Sequence, residues 1–177
     1  NLLTLPRADF VLGHVARPEI KRVMSIGCGD GTLEKALLEN NPHVEKLFVS
    51  DLNPAANLAI VALQETFPGR VEVSPALGFG PQPSCGVDLI YACEVIEHVI
   101  DAEMFVSELT AQLAPGGCCL VTTPNPTEWV EFYHNDPSRE DAIQHIRGVT
   151  ARDLRDWFVG VGFVGTTLVA GGTLLSS

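Results

Sequence analysis

The stretch Val23-Met24-Ser25-Ile26-Gly27-Cys28-Gly29-Asp30-Gly31-Thr32-Leu33 decides the fold. An apolar run of β type meets three glycines at alternate positions, and a helical pattern starts immediately after them. Lacking a Cβ, glycine lets the chain turn sharply and lets a ligand lie against bare backbone. The N–H groups that open the next helix have no intrahelical partner and face that ligand. Strand, glycine turn and helix together describe the first βα unit of a nucleotide-type site.

The spacing narrows the ligand. A dinucleotide fingerprint, Gly-x-Gly-x-x-Gly, needs its third glycine at position 32, where this chain has Thr32. A nicotinamide-dependent enzyme is therefore disfavoured. A second signal lies at Leu47-Phe48-Val49-Ser50-Asp51-Leu52, a short apolar strand ending in an acid 24 residues after Gly27. An acid about 20 residues beyond the glycines accepts hydrogen bonds from a ribose diol. Asn53-Pro54 supplies the N-cap and first position of the next helix, which leaves Asp51 free for the ribose.

The chain has 177 residues, 46% of them hydrophobic, which suits one domain spanning 1–177 with a sizeable core. Eleven Lys and Arg against 22 Asp and Glu give a net charge of −11, a surface that repels nucleic acid. The five cysteines (Cys28, Cys85, Cys93, Cys118, Cys119) have no framework spacing, and Cys118 and Cys119 point to opposite faces of a strand. Free thiols of this kind imply a reducing, cytoplasmic setting. No apolar run reaches the ~18–20 residues of a membrane span. The chain begins at Asn1, which reads as a processed or trimmed form or a piece of something longer.

Taken in order, residues 1–20 hold a leading helix over Pro6–Val15, with Phe10, Val11 and Leu12 as its apolar surface, covering a sheet edge or the ligand. Strands at Val23–Ile26, Leu47–Ser50, Val71–Val73, Val87–Tyr91, Cys118–Thr122 and Phe163–Val169 alternate with helices. The helix from Pro54 to about Phe67 is apolar nearly all round and is expected to be well buried. The helix over Ala102–Leu113 takes Asp101 as its N-cap and places Met104, Phe105, Leu109 and Leu113 on one face. Thr150-x-x-Asp153 is a capping-box start for a last helix carrying Leu154, Trp157 and Phe158. The 26 residues Thr123–Gly148 have no clear period and hold Trp129, Phe132, Tyr133, His134 and His145. Loops this long are usually functional or disordered. The alternation predicts an α/β fold, a doubly wound, mostly parallel sheet of six to seven strands with helices on both faces.

The glycine order Gly27-x-Gly29-x-Gly31 after an apolar strand resembles motif I of the class I S-adenosylmethionine-dependent methyltransferases. Leu113-x-Pro115-Gly116-Gly117 before a strand resembles the turn preceding strand five of the same class, and the likeness runs from about Val23 to Val169. It implies a Rossmann-like fold, S-adenosylmethionine as cofactor and a small hydroxyl or amine acceptor. By that resemblance Gly27, Cys28, Gly29, Asp30 and Gly31 line the methionine moiety, and Asp51 holds the ribose. Leu52 and Leu77 sandwich the adenine, and Cys93 with Glu94 walls the methionine end. The family pattern opens the loop after strand three with an acid for the adenine amino group. Ser74-Pro75-Ala76-Leu77 has none, which assigns that contact to backbone at Ala76 and Leu77.

Cys93-Glu94-Val95-Ile96-Glu97-His98 leaves the fourth strand beside the first, where ligands of open α/β sheets bind. Glu94, Glu97 and His98 stand at i, i+3 and i+4, a spacing that predicts one helical face. Three readings stay open. The stretch resembles the Glu-Val-Leu-Glu-His-Val of ubiquinone-biosynthesis-type O-methyltransferases, in which case Glu97 and His98 hold or deprotonate a small acceptor. His145 resembles a histidine of the loop that folds over the acceptor in many small-molecule methyltransferases, and is a second base. Alternatively, Glu94, Glu97, His98 and His145 ligate a divalent metal, as in the small-RNA 3′-terminal 2′-O-methyltransferases, which also carry the Thr-Thr-Pro-Asn found at Thr122-Thr123-Pro124-Asn125. The aromatic-rich block that follows in those enzymes is replaced by Ile146-Arg147-Gly148-Val149-Thr150. In the third reading these residues only shape a helix start. A non-catalytic, methyltransferase-like binding module within a larger assembly is the alternative from outside enzymology.

Overall fold

Val23, Met24, Ser25 and Ile26 are buried on both sides of their strand, as a parallel strand covered by helices requires. The structure, a computed structural model, describes residues 6–74, 86–124, 146–163, 168–170 and 173–175. Its first half runs α1 (Pro6–Val15), β1 (Arg22–Ile26), α2 (Thr32–Asn40), β2 (Lys46–Ser50), α3 (Asn57–Thr66) and β3 (Val71–Val73). Its second half runs β4 (Val87–Cys93), α4 (Ala102–Ala111), β5 (Leu113–Thr122), α5 (Ala151–Gly160), β6 (Leu168–Ala170) and β7 (Thr173–Leu175).

β1 is the centre of a five-stranded parallel sheet of order β3-β2-β1-β4-β5. Alternate side chains divide the core. Val23, Leu47, Leu89 and Tyr91 pack under α1, α2 and α3 through Val11, Leu37, Leu38 and Leu63. Met24, Ile26, Ile90 and Ala92 pack under α4 and α5 through Phe105, Leu109 and Phe158. The chain winds outward from β1 to β3, then crosses to β4 on the other side of β1. That reversal opens a crevice at the carboxyl ends of β1 and β4.

The expected six to seven strands in one sheet are corrected to five. β6 and β7 form a separate antiparallel pair, with Ala170 opposite Thr173. The expected burial of the helix after β2 is also corrected. A 3₁₀ turn, Pro54–Ala56, precedes α3, and only Ile60 and Leu63 of α3 are buried, while Leu58 is 82% exposed. α3 joins the two outermost strands on its side and has the sheet on one flank only. Met104 likewise turns outward on α4, whose inner stripe is Ala102, Phe105, Val106 and Leu109. β5 starts earlier than expected, because Leu113 already pairs with Val87 before the Pro-Gly-Gly turn shifts the register to Leu89 against Cys118. Cys118 and Cys119 do face opposite cores. Asp101 accepts the Met104 amide at 2.9 Å, and Thr150 with Asp153 closes the capping box on α5.

Candidate active site

The loop after β1 is stapled to the end of β2. The amides of Gly27 and Cys28 donate to the Ser50 carbonyl at 2.7 and 3.3 Å. Gly27 has φ 75°, and a Cβ there would lie 2.6 Å from Val95 Cγ2, so the position accepts no side chain without displacement. A Cβ on Gly29 would meet nothing within 4 Å. The space over Gly29 is open, which leaves room for a ligand against the loop backbone. Gly31, also left-handed, leads into α2, and Asp30 accepts the Thr32 amide at 3.0 Å.

Asp51 is not free, as the sequence suggests, but joined to this loop. Its Oδ2 accepts the Gly29 amide at 2.8 Å and its Oδ1 accepts the Asn53 amide at 2.7 Å. A carboxylate offers about four acceptor sites, so both oxygens keep capacity for ribose hydroxyls. The Asn53 side chain caps Ala55 as expected. Beside them Leu52 is 85% exposed, an apolar side chain held in water next to Asp51.

On the other wall, β4 delivers Cys93 and Glu94. Burial pushes the Cys28 thiol up to about 12 and the Cys93 thiol up to about 11, so both stay neutral. Glu94 has φ 57°, the positive-φ non-glycine residue among those described. Its amide donates to the Thr122 carbonyl at 3.0 Å, its Oε1 accepts the Thr122 hydroxyl at 2.8 Å, and its Oε2 faces the Arg7 guanidinium at 3.8 Å. Ile96–His98 then forms a 3₁₀ turn. The single helical face expected for Glu94, Glu97 and His98 is therefore corrected: Glu94 is half-buried before the turn, Glu97 is buried and His98 is exposed. The left-handed residue ends the strand and throws the next side chains in different directions.

Burial pushes the Glu97 carboxyl up to about 7, with the neighbouring Glu94 charge adding to it, while Thr123 and Arg7 act the other way. The Ile146 amide donates to the Glu97 carbonyl at 3.0 Å, which returns the chain to this turn. Ala76, Leu77 and His145 lie outside the described residues. Among the described residues, no group of three or more His, Cys, Asp and Glu is arranged to hold a metal ion.

Sequence reasoning missed four residues. Arg7, on α1, reaches Glu94 across the fold, with no sequence signal to link them. Thr122 and Thr123 are noticed only for the motif they belong to, not as partners of Glu94 and Glu97. Glu34 is 2% exposed, and it had a signal: it stands three and four residues before Leu37 and Leu38, on the inward stripe of α2.

The family model that matches this chain, described as a methyltransferase domain, covers residues 8–168. A trans-aconitate 2-methyltransferase of Variovorax paradoxus (strain S110) is 36% identical over 122 residues, 68% of this chain and 45% of that protein. A ubiquinone biosynthesis O-methyltransferase of Caulobacter sp. (strain K31) is 33% identical over 110 residues, 60% of this chain and 42% of that protein. The chain spans less than half the length of these two relatives. A solved S-adenosylmethionine dependent methyltransferase of Mesorhizobium loti has the same fold, with a TM-score of 0.64 at 16% identity over 89% of this chain and 81% of that one. With the glycine loop, the acid after β2 and the β1/β4 crevice in place, this chain belongs to the methyltransferase domain family, of the class I S-adenosylmethionine-dependent kind.

Proposed function

We propose that this domain transfers a methyl group from S-adenosylmethionine to a hydroxyl or amine of a small-molecule acceptor. The observation that carries the reading is the Gly29–Asp51 hydrogen bond beneath open space at the β1/β4 switch point. When bound, the cofactor supplies a sulfonium-activated methyl group, so most of the protein's work is alignment. Gly27, Cys28, Gly29, Asp30 and Gly31 offer backbone to the methionine moiety, and Asp51 accepts from the ribose. Leu52 covers the adenine together with Ala76 and Leu77. Cys93 and Glu94, the latter braced by Thr122 and Arg7, wall the methionine end.

Glu97 changes protonation near neutrality, which suits a base that takes the acceptor proton. His98, exposed on the same turn, and His145 are the other bases of this reading. The net charge of −11 favours a small acceptor over nucleic acid. Residues 1–177 form one domain in this reading, with 123–148 on the acceptor side and 1–20 contributing Arg7. Among the described residues no helix is long and apolar enough to cross a membrane, and the unpaired thiols fit a reducing cytoplasm.

Calorimetric titration of the purified, metal-stripped protein with S-adenosylhomocysteine and with NADH tests this. Micromolar binding of the first and none of the second supports a methyl-donor site. Silence with both overturns it in favour of a non-catalytic module. Methyl transfer that requires added Mn²⁺ moves the acceptor to an RNA 3′ end, with Glu94, Glu97, His98 and His145 as ligands.

A further inference from the structure

Glu34 takes no part in the roles above, yet its placement is costly. It stands in the first turn of α2, directly after the glycine loop, and is 2% exposed. Its Oε1 accepts the Ser25 hydroxyl at 2.6 Å and the Tyr91 hydroxyl at 2.8 Å, from residues paired across β1 and β4. Its Oε2 is buried with no hydrogen-bond partner. A carboxylate taken out of water this far costs several kcal/mol unless a cation or further donors answer it.

Burial pushes the Glu34 carboxyl up, the two hydroxyls pull it down, and Asp30 pushes it up again, so without a cation beside it the neutral acid is favoured and a cation there draws out the carboxylate. No cation figures among these influences. Glu34 also raises both Cys28 and Cys93, so its field reaches the glycine loop and the end of β4 together. Those two elements bracket the methionine end of the donor site, where a cationic sulfur would lie.

We propose that Glu34, when ionised, is a buried counter-charge for the sulfonium of the methyl donor, and that it favours the cationic donor over the neutral-sulfur product. The inference rests on the donor site proposed above. Methyl transfer removes the charge from sulfur, so the attraction ends with the reaction and the product exchanges for fresh donor. The attraction acts on the bound donor more than on the transition state, whose sulfur has already lost charge. Removing it therefore raises the donor KM with little loss of kcat.

The test is calorimetric titration of wild type, Glu34→Gln and Asp51→Ala with two ligands. Sinefungin carries an ammonium near the position of the sulfur, where S-adenosylhomocysteine is neutral. Glu34→Gln keeps an acceptor for Ser25 and Tyr91 but cannot ionise, so sinefungin binding should weaken about tenfold while S-adenosylhomocysteine changes by less than about twofold. Equal weakening of both ligands, or of neither, overturns the inference. Asp51→Ala should weaken both, because it acts at the ribose they share. Wild type that binds neither ligand overturns the donor reading itself, and the inference with it. If Glu34→Gln does not fold, Tyr91→Phe substitutes: it strips one donor from the carboxylate, and an unchanged preference between the ligands overturns the inference.

Discussion

The backbone amide of Gly29 donates to Oδ2 of Asp51 at 2.8 Å, so the glycine loop after β1 and the acid after β2 form one unit. The parallel register that sets Ile26 beside Ser50 brings the two strand ends to the same height. The carboxylate then holds the loop open and its own position fixed before any ligand arrives.

Asp51→Ala breaks this unit. Two backbone amides lose their acceptor at an exposed site, for a stability loss of about 1 kcal/mol. Affinity for S-adenosylhomocysteine should fall by more than about tenfold, since ribose acceptor and loop brace go together. Asp51→Asn, which keeps an acceptor oxygen, should fall between the two. Calorimetry and thermal unfolding on the same preparations separate the effects.

Two glycines of one loop should respond differently. Gly27→Ala places a Cβ 2.6 Å from Val95 Cγ2 at φ 75° and should destabilise by about 2 kcal/mol. Adding Val95→Ala should recover the part due to the clash and not the part due to backbone conformation. Gly29→Ala meets no atom within 4 Å and should cost only about 1 kcal/mol for its left-handed backbone. Its methyl group enters the open space over the loop, so donor-site binding should fall although the protein is folded. Equal melting losses for the two variants would contradict the geometry.

Glu97 makes stability depend on pH in a defined direction. Its carboxyl titrates near 7 when folded against 4.5 when unfolded, so the folded chain binds the proton more tightly. Between pH 4.5 and about 7 stability should fall as pH rises, and it should stay lowered above that window. Glu97→Gln should flatten the slope and leave the protein about 3 kcal/mol more stable at pH 8 relative to the wild-type trend. If Glu97 is the base, turnover of wild type should rise through pH 7 as it deprotonates, and the variant should lose that limb.

Arg7→Gln tests the long-range link from α1. The pair with Glu94 spans 3.8 Å with both side chains partly exposed, so stability should change by less than about 1 kcal/mol. Arg7 is among the groups that hold the Glu97 carboxyl down, so the acid limb of the pH–rate profile should move to higher pH. A profile that does not move would place Arg7 outside the site's electrostatics.

Thr150→Ala removes the side-chain half of the capping box on α5, since the Thr150 hydroxyl accepts the Asp153 amide and donates to its carboxylate, while the backbone amide of residue 150 still donates to that carboxylate. The expected loss is about 1 kcal/mol, read by thermal unfolding, with donor affinity unchanged.

Local chemistry made much of this protein legible in advance. The glycines at 27, 29 and 31 announce a turn because a residue without Cβ adopts the positive φ found there (75°, 53° and 72°) most readily, and Pro6, Asp101 and Thr150 mark helix starts because they meet needs within one turn of chain. The burial of Val23–Ile26 follows from an apolar run with no polar alternation. The order of the βα units, and hence the β1/β4 crevice, follows from that alternation with the right-handed crossover rule.

What depends on distant partners was decided only by the tertiary structure. The i, i+3, i+4 spacing of Glu94, Glu97 and His98 looks like one helical face, but hydrogen bonds to Thr122 turn Glu94 left-handed and separate all three. Asp51 looks free until the register brings Gly29 beside it. The apolar surface of α3 reads as core, yet its place at the end of the sheet leaves Leu58 in water. Glu34 carries no motif that marks it in the sequence, and it is a buried acid because Ser25 and Tyr91 meet it from two strands. Sequence period and caps govern contacts within a few residues, whereas burial and ionisation are set by whichever elements the fold packs alongside.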